Sequence, residues 1–415
     1  MNVWIIDHYS SEPQYGGISR QYDFAKGLSD EGVNVLVISS SFSHYSHEYI
    51  SQKKVYTSAI NTRANYAYLR TTSYDRNGGL KRILNTFSFV SSVKRNSKNL
   101  VKNFGAPDVV VGCSIHPFTW IAANWVAQKY DARFLVEVRD LWPANQIYDE
   151  GMSPYHPMAL ILGALERWAY NKAECVIYSM SRGDKYICDM CQIPREKTLW
   201  LAQPMDCERF DANSKRYDEL PQSIRTFIGE SFICVFTGYY MEYEGVNEML
   251  EAAAILKEKD LPIKFVFVGN GDEERKMKAF VKNNDLSNVF IGGRIQKDLV
   301  PALLKRAQIC LAHLAVKGNP QSYQFDASKN KINEYMYSDS CIIYGTYVEN
   351  QFVKTSGAGF TIEPYNAMQF ATTIEKVYKM APEQRKVFGE NARKYVMANN
   401  TLDCLTQKYL TVLKK

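Results

Sequence analysis

The feature that most constrains this chain is a rhythm. Short β-branched runs alternate with longer amphipathic stretches, and after residue 204 the rhythm starts again. Apolar runs at residues 3–7, 33–39, 109–113, 134–138 and 176–179 read as buried parallel strands, since strands covered on both faces show no polar alternation. Helices are expected between them at 18–31, 119–129 and 157–172. A second set of strands is expected at 232–237, 264–269, 289–291, 309–312 and 341–344. Two consecutive βα arrays predict an α/β chain of two Rossmann-like, doubly wound domains facing a cleft. The join falls at Leu201-Ala202-Gln203-Pro204-Met205-Asp206, and the segment 213–222 after it is polar and turn-rich. The expected domains are 1–204 and 205–390. Residues 382–415 read as helical throughout, and their last part, 391–415, is expected to rejoin the first domain.

Composition narrows the class further. With 46% hydrophobic and 23% charged residues over 415 positions, the chain is neither disordered nor a disulfide miniprotein. Nine cysteines, an odd number without a framework, fit a reducing compartment. No apolar run approaches the roughly 18 residues of a membrane-spanning helix, and Met1-Asn2-Val3-Trp4-Ile5 lacks the basic start of a signal peptide. The expected location is therefore the cytoplasm. Between Lys53 and Phe104 stand eleven Lys or Arg against one acid, Asp75. Within that stretch Leu80, Ile83, Leu84, Phe87, Val90 and Val93 fall on one helical face. Such a basic amphipathic helix either lies on an anionic membrane surface or packs its stripe on the core. No recognised nucleic-acid module accompanies the charge, and no nucleic-acid partner is expected.

Five segments occupy the positions beyond strand ends where open parallel sheets bind ligands. Tyr15-Gly16-Gly17-Ile18-Ser19-Arg20 offers two glycines before a helix start, where backbone can approach a phosphate or simply turn. It matches neither G-x-G-x-x-G nor the P-loop, which counts against a dinucleotide oxidoreductase and a P-loop enzyme. His116, in Cys113-Ser114-Ile115-His116-Pro117, stands at a strand end with a ring available for hydrogen bonding. Glu137, Arg139 and Asp140 put charges on a run otherwise buried, so they are paired or functional. Gly238-Tyr239-Tyr240 opens the second domain's first strand-to-helix loop. The run from Asp326 to Met336 holds carboxylates at 326 and 334 with Lys331 between them, a lysine that can neutralise phosphate and an acid that can accept sugar hydroxyls. Cys188-Asp189-Met190-Cys191 is a lone pair without a second, and no D-x-D or His/Cys cluster has metal spacing, so no metal is expected.

These residues resemble retaining, family-4-type glycosyltransferases of GT-B architecture, in particular bacterial enzymes that build O-antigen and capsular polysaccharides from UDP-N-acetylamino sugars. The likeness spans nearly the whole chain and rests on Gly16-Gly17-x-x-Arg20, Asp140-Leu141-Trp142-Pro143, Val268-Gly269-Asn270-Gly271 and Ser328-x-Asn330-Lys331-x-x-Glu334-Tyr335-Met336. It implies a hexosyltransferase with no cofactor, a UDP-sugar donor, and a lipid-linked or growing glycan acceptor met at the inner face of the membrane. It implies donor contacts from Gly16, Gly17, Gly238, Arg294, Ile295, Ser328, Asn330, Lys331 and Glu334, with Glu334 on the ribose and backbone near Gly293 on the uracil. His116, Asp326 and Lys331 become the catalytic set, and Arg20, Glu137, Arg139 and Asp140 the acceptor side of the cleft. Two departures stand out: Asp326 replaces the usual first Glu of an E-x7-E pair, and Tyr239, Tyr240, Glu242 and Glu244 replace a loop Arg and Lys. They motivate one alternative, a non-catalytic sugar-nucleotide-binding subunit; the shared architecture offers another, a UDP-sugar 2-epimerase.

Overall fold

A computed structural model describes residues 1–16, 19–75, 79–327, 329–348 and 352–415. Gly17 and Ser328, expected donor contacts, lie outside the described residues. The chain divides into two compact units, Met1–Pro204 with Leu402–Lys415, and Met205–Thr401.

The first unit runs β1 (Asn2–Ile6), α1 (Arg20–Asp30), β2 (Asn34–Ser40), β3 (Val55–Ala59), β4 (Ala64–Leu69), α2 (Leu80–Phe104), β5 (Val109–Ser114), α3 (Phe118–Lys129), β6 (Arg133–Val138), α4 (Ala144–Tyr148), α5 (Pro157–Lys172), β7 (Cys175–Tyr178) and β8 (Thr198–Trp200). Its sheet has the order β3-β4-β2-β1-β5-β6-β7-β8, parallel apart from β3, which pairs antiparallel with β4. Val3 in β1 stands between Val35 and Val109 on its neighbours, and all three are buried. Helices on both faces demand that apolar continuity. The tyrosine-rich β3–β4 ribbon is an addition that the apolar runs did not predict.

The second unit runs α6 (Cys207–Ser214), α7 (Gln222–Ile228), β9 (Phe232–Tyr239), α8 (Val246–Glu258), β10 (Ile263–Asn270), α9 (Glu274–Asn283), β11 (Val289–Ile291), α10 (Val300–Leu304), β12 (Ile309–Leu314), α11 (Asn330–Tyr337), β13 (Cys341–Thr346), α12 (Phe352–Thr355), β14 (Gly359–Ile362), α13 (Ala367–Lys379) and α14 (Pro382–Asn399). Its six strands are all parallel, in the order β11-β10-β9-β12-β13-β14. A last helix, α15 (Leu402–Leu413), belongs to the first unit, where Tyr409 meets Phe24 edge-on at 5.3 Å and Arg133 bonds the carbonyls of Val412 and Leu413. The return to the first unit therefore falls at residue 402 and not at 391, and the helix expected over 382–415 is interrupted. Asn400 breaks it, its carbonyl accepting from Met205 N–H and its amide donating to Asn333.

Strand order reverses between β1 and β5 in the first sheet and between β9 and β12 in the second. Ligand sites in doubly wound sheets form at such switch points, beyond the carboxyl ends of the strands. In the second sheet the opening is visible in the register. β9 and β12 pair only through Cys234–Ile309 and Val235–Cys310, although both strands continue for four residues more.

Candidate functional site

The gap between β9 and β12 is filled from α11. Thr237 N–H, which lacks a strand partner there, donates to the Tyr335 hydroxyl at 2.7 Å. Tyr335 is fully buried and sits one helical turn after Lys331, so anchoring its ring brings the start of α11 to the carboxyl end of β9. Lys331 then lies over the Phe236 ring, 4.2 Å from its centroid. Gly238 leaves room for it: the residue has φ +141, and a Cβ there would stand 3.3 Å from the Lys331 ammonium. Gly269 is required for a related reason, because a Cβ on it would overlap the carbonyl of Gly238.

Two lysines share one carboxylate. Glu244, in the loop after β9, accepts from Lys331 Nζ through one oxygen and from Lys329 Nζ through the other, the latter at 2.9 Å. Lys329 also donates to the His313 carbonyl at the end of β12, at 2.9 Å. All three charged side chains are nearly buried. Desolvation works against the charged forms of Lys331 and Glu244, and its outcome differs. It pulls Lys331 down to about 8, partly offset by Glu244. Glu244 is held below the usual carboxylate range, because the two ammonium groups outweigh its burial. His313 is pushed down to about 4 by burial; its Nδ1–H donates to the Tyr243 carbonyl and its Nε2 accepts from Tyr365 N–H. A neutral imidazole thus ties the β9 loop to the segment before α13. The cluster carries one net positive charge beside a glycine turn, an arrangement that can receive an anionic group.

The other described donor residues expected in the second unit stand at the same carboxyl edge of its sheet. Gly293 O accepts from Gly269 N–H at 2.8 Å, which fixes the 292–296 loop carrying exposed Arg294 and half-buried Ile295 against the end of β10. Asn330 is the exposed first residue of α11, and Glu334 is half-buried one turn on. Asp326 is buried at φ +67 with one carboxylate oxygen on the Ala327 N–H at 2.7 Å. It caps its own turn.

In the first unit the switch point gathers a second polar group. His116, after β5, and His8, after β1, face each other with Nε2 and Nδ1 2.6 Å apart, and His8 stacks on Phe89 at 4.3 Å. Burial first and the charge of Arg82 second push His116 down to about 3, so the pair is neutral at physiological pH and shares one proton across the contact. His116 Nδ1 is buried and has no hydrogen-bond partner among the described residues. Arg139 lies 3.5 Å from Asp7, while its Nε and Nη1 likewise find no hydrogen-bond partner there. Asp140 is raised to about 6 by burial, against the opposing charge of Arg139. Buried polar groups left open in this way are what a hydroxyl-rich ligand satisfies. Gly16, at φ +72 in the loop between β1 and α1, accepts from the Ser11 hydroxyl.

Arg20 and Glu137 do something other than line an acceptor site. Both side chains are completely buried and joined at 2.6 Å, and Arg20 also bonds the carbonyls of Leu201 and Ala202 at 2.7 and 2.6 Å. Gln21 and Cys113 complete the shell around Glu137. The pair clamps the end of the first unit's chain to α1, and no atom of either is left for a ligand. Cys188 and Cys191 are free thiols resting near Thr198 and Glu166, and among the described residues no three His, Cys, Asp or Glu side chains are grouped to hold a metal.

Residues 222–395, most of the second unit, match the family model described as "Glycosyl transferases group 1". The second unit thus carries a domain similar to glycosyltransferases of this group, and the chain is a transferase. The enzyme is similar to alpha-D-kanosaminyltransferase from Streptomyces kanamyceticus, 21% identical over 310 residues that cover 72% of this chain and 75% of that protein. Its fold is GT-B. The structure of Anabaena Alr3699/HepE, solved in complex with UDP and glucose, matches with a TM-score of 0.68 at 14% identity, over 100% of this chain and 99% of that one. WaaG, a glycosyltransferase involved in lipopolysaccharide biosynthesis, matches with a TM-score of 0.68 at 16% identity over 99% of each chain.

Proposed function

We propose that this transferase takes an N-acetylamino sugar from a UDP-sugar and transfers it, with retention at the anomeric carbon and without a metal, to a lipid-linked or growing glycan in O-antigen or capsule synthesis. The observation that carries the donor half is the Lys331–Glu244–Lys329 cluster beneath Gly238 at the β9/β12 switch point. A nucleoside diphosphate leaving group gains negative charge as the glycosidic bond breaks. An ammonium and main-chain N–H groups fixed in a dry site stabilise that charge without reorganising. Glu334, one turn from Lys331, accepts from the ribose hydroxyls in this reading, and the backbone at 293–295 receives the uracil. The open polar atoms of Arg139 and His116 are assigned to the sugars and the acceptor. The UDP bound to the Anabaena relative supports the donor class, and the lipopolysaccharide role of WaaG supports the acceptor class. The enzyme works in the cytoplasm, peripheral to the membrane, with the basic segment 53–104 toward the lipid. No helix among the described residues is long and apolar enough to cross a membrane.

A thermal-shift panel tests the donor assignment. A nucleotide that binds only the folded form stabilises it by about 2.7 kcal/mol at a hundred times its Kd. UDP is expected to raise the melting temperature where GDP and ADP do not, and Glu334→Ala removes the shift. Equal responses to all three nucleotides, or a UDP shift intact in both Glu334→Ala and Lys331→Ala, would refute the site.

A further inference from the structure

Lys329 and Lys331 reach the same carboxylate but are held in different ways. Lys329 Nζ donates to Glu244 and to the His313 carbonyl, each at 2.9 Å, and lies 5.5 Å from the centre of the Tyr243 ring. That carbonyl belongs to β12, where His313 stands in register with Gly345 of β13. The His313 ring is fully buried and tied at both nitrogens, to the Tyr243 carbonyl at 2.8 Å and the Tyr365 N–H at 3.1 Å. Gly245 and Gly345 close on the same ring, where a Cβ on either would overlap it. Lys329 is thus fastened to the frame of the second sheet. Lys331 rests instead on a side-chain oxygen of Glu244 and on the face of the Phe236 ring, which attracts a cation without fixing its direction.

Charge decides what each lysine can do when an anion arrives. A diphosphate that drew on both would strip Glu244 of its partners and leave a buried carboxylate beside the ligand, the arrangement of buried charges that is most strongly destabilising. Drawing on Lys331 alone leaves Glu244 paired with Lys329. The pair then stays neutral, and the one surplus positive charge of the cluster faces the ligand. Lys331 also has the means to move. Its flexible stem lets the ammonium pivot, and Gly238 leaves free the space where a Cβ would stand 3.3 Å from it. Lys329, bonded at once to Glu244 and to a strand carbonyl, would lose two hydrogen bonds by the same movement.

We propose that the cluster works by exchange: Lys331 leaves Glu244 for the donor diphosphate, and Lys329 is the positioning residue that stays on Glu244 and keeps it neutralised. The exchange deepens the UDP-sugar reading and rests on it. Isothermal titration at pH 7 compares UDP binding to wild type, to Lys329→Met and to the double variant Lys329→Met, Glu244→Gln. In Lys329→Met the ligand can take Lys331 only by stranding Glu244, and UDP affinity is expected to fall roughly tenfold or more. The double variant has no carboxylate to strand, and its affinity is expected to return to within roughly threefold of wild type. Uridine carries no phosphate, so saturation-transfer NMR is expected to show it binding all three proteins alike. Unliganded melting temperatures report folding. Should Lys329→Met fold poorly, the double variant decides alone, because a Lys329 that touched phosphate would leave it weak. Unchanged UDP affinity in Lys329→Met overturns the proposal. So does a double variant no tighter than the single one, which would make Lys329 a phosphate contact, and so do equal losses of uridine and UDP, which would make it only a prop for the loop. A wild type that binds no UDP removes the donor site as a whole, whereas UDP binding lost in Lys331→Ala and intact in Lys329→Met removes only the exchange.

Discussion

Lys331 titrates in a range where its charge can be changed without unfolding the protein, and that makes the donor site testable by pH. Burial draws its ammonium down to about 8, with Glu244 limiting the fall. A group with that pKa is roughly nine-tenths charged at pH 7 and one-tenth charged at pH 9. A bound diphosphate favours the charged form, so the complex holds the proton to higher pH than the free enzyme does. UDP affinity is therefore level below about pH 8 and falls above it, roughly tenfold between pH 7 and 9, or about 1.4 kcal/mol. Isothermal titration with UDP across that range measures the fall directly. Repeating it in buffers of different ionisation enthalpy counts the proton taken up on binding. Lys331→Arg keeps its charge throughout and is expected to flatten the profile. The nucleotide's own ionisation is common to both proteins and cancels in their ratio. Glu244→Gln removes the group that supports the ammonium, so the fall begins at lower pH. A wild-type profile that parallels the Lys331→Arg profile, with no proton uptake, refutes the reasoning. In the unliganded enzyme the depressed pKa carries a stability consequence of definite sign. The cost of burying charged Lys331 is in full force below pH 8 and is relieved as pH rises toward the ordinary value of 10.5, so its contribution to stability grows across that window.

Three further outcomes follow from other groups. Glu166, buried with the Tyr170 and Tyr186 hydroxyls at 2.8 and 2.7 Å on its carboxylate, is pushed up to about 8 by burial, so its protonated form stabilises the fold at low pH and that contribution is lost as pH rises from 4.5 to 8. Glu166→Gln is expected to gain stability over wild type progressively through that interval in urea unfolding, and a difference that does not vary with pH would contradict the burial argument. Arg20→Ala leaves Glu137 charged and buried without its main partner, which costs about 3–5 kcal/mol and lowers the melting temperature of the first unit; an unchanged transition would show that the clamp carries no load. Sugar transfer is expected to be unaffected by prolonged EDTA treatment, and activity that disappears with chelator and returns with a divalent ion would remove the metal-free mechanism.

The sheets and the glycine turns were legible because they depend on local chemistry. Valine and isoleucine runs announce buried parallel strands, and Gly238 and Gly269 stand where a side chain would strike Lys331 or a neighbouring carbonyl. The pairing partners were not legible, because they join positions far apart in the chain. Glu137, Arg139 and Asp140 read from sequence only as charges that are paired or functional, and the structure gives Glu137 to Arg20, 117 residues away, and Arg139 to Asp7. The α2 stripe read as a single surface because periodicity does not say where along a helix the core ends: Phe89, Val93 and Leu100 are buried, while Leu80 and Leu84 are exposed. The β9 loop shows the same limit most sharply. Its acidic residues looked like a loss of phosphate-binding charge, since sequence order sets Glu244 against an expected lysine at the same place. Folding instead brings Lys329 and Lys331 to that carboxylate from the other side of the switch point. Glu244 alone would leave a buried anion facing a diphosphate, and two lysines alone would leave two buried cations facing each other. Together they form a group with one surplus positive charge, one of whose ammonium groups titrates near 8, and this gives a physical reason for an acidic residue to stand beside an anionic leaving group.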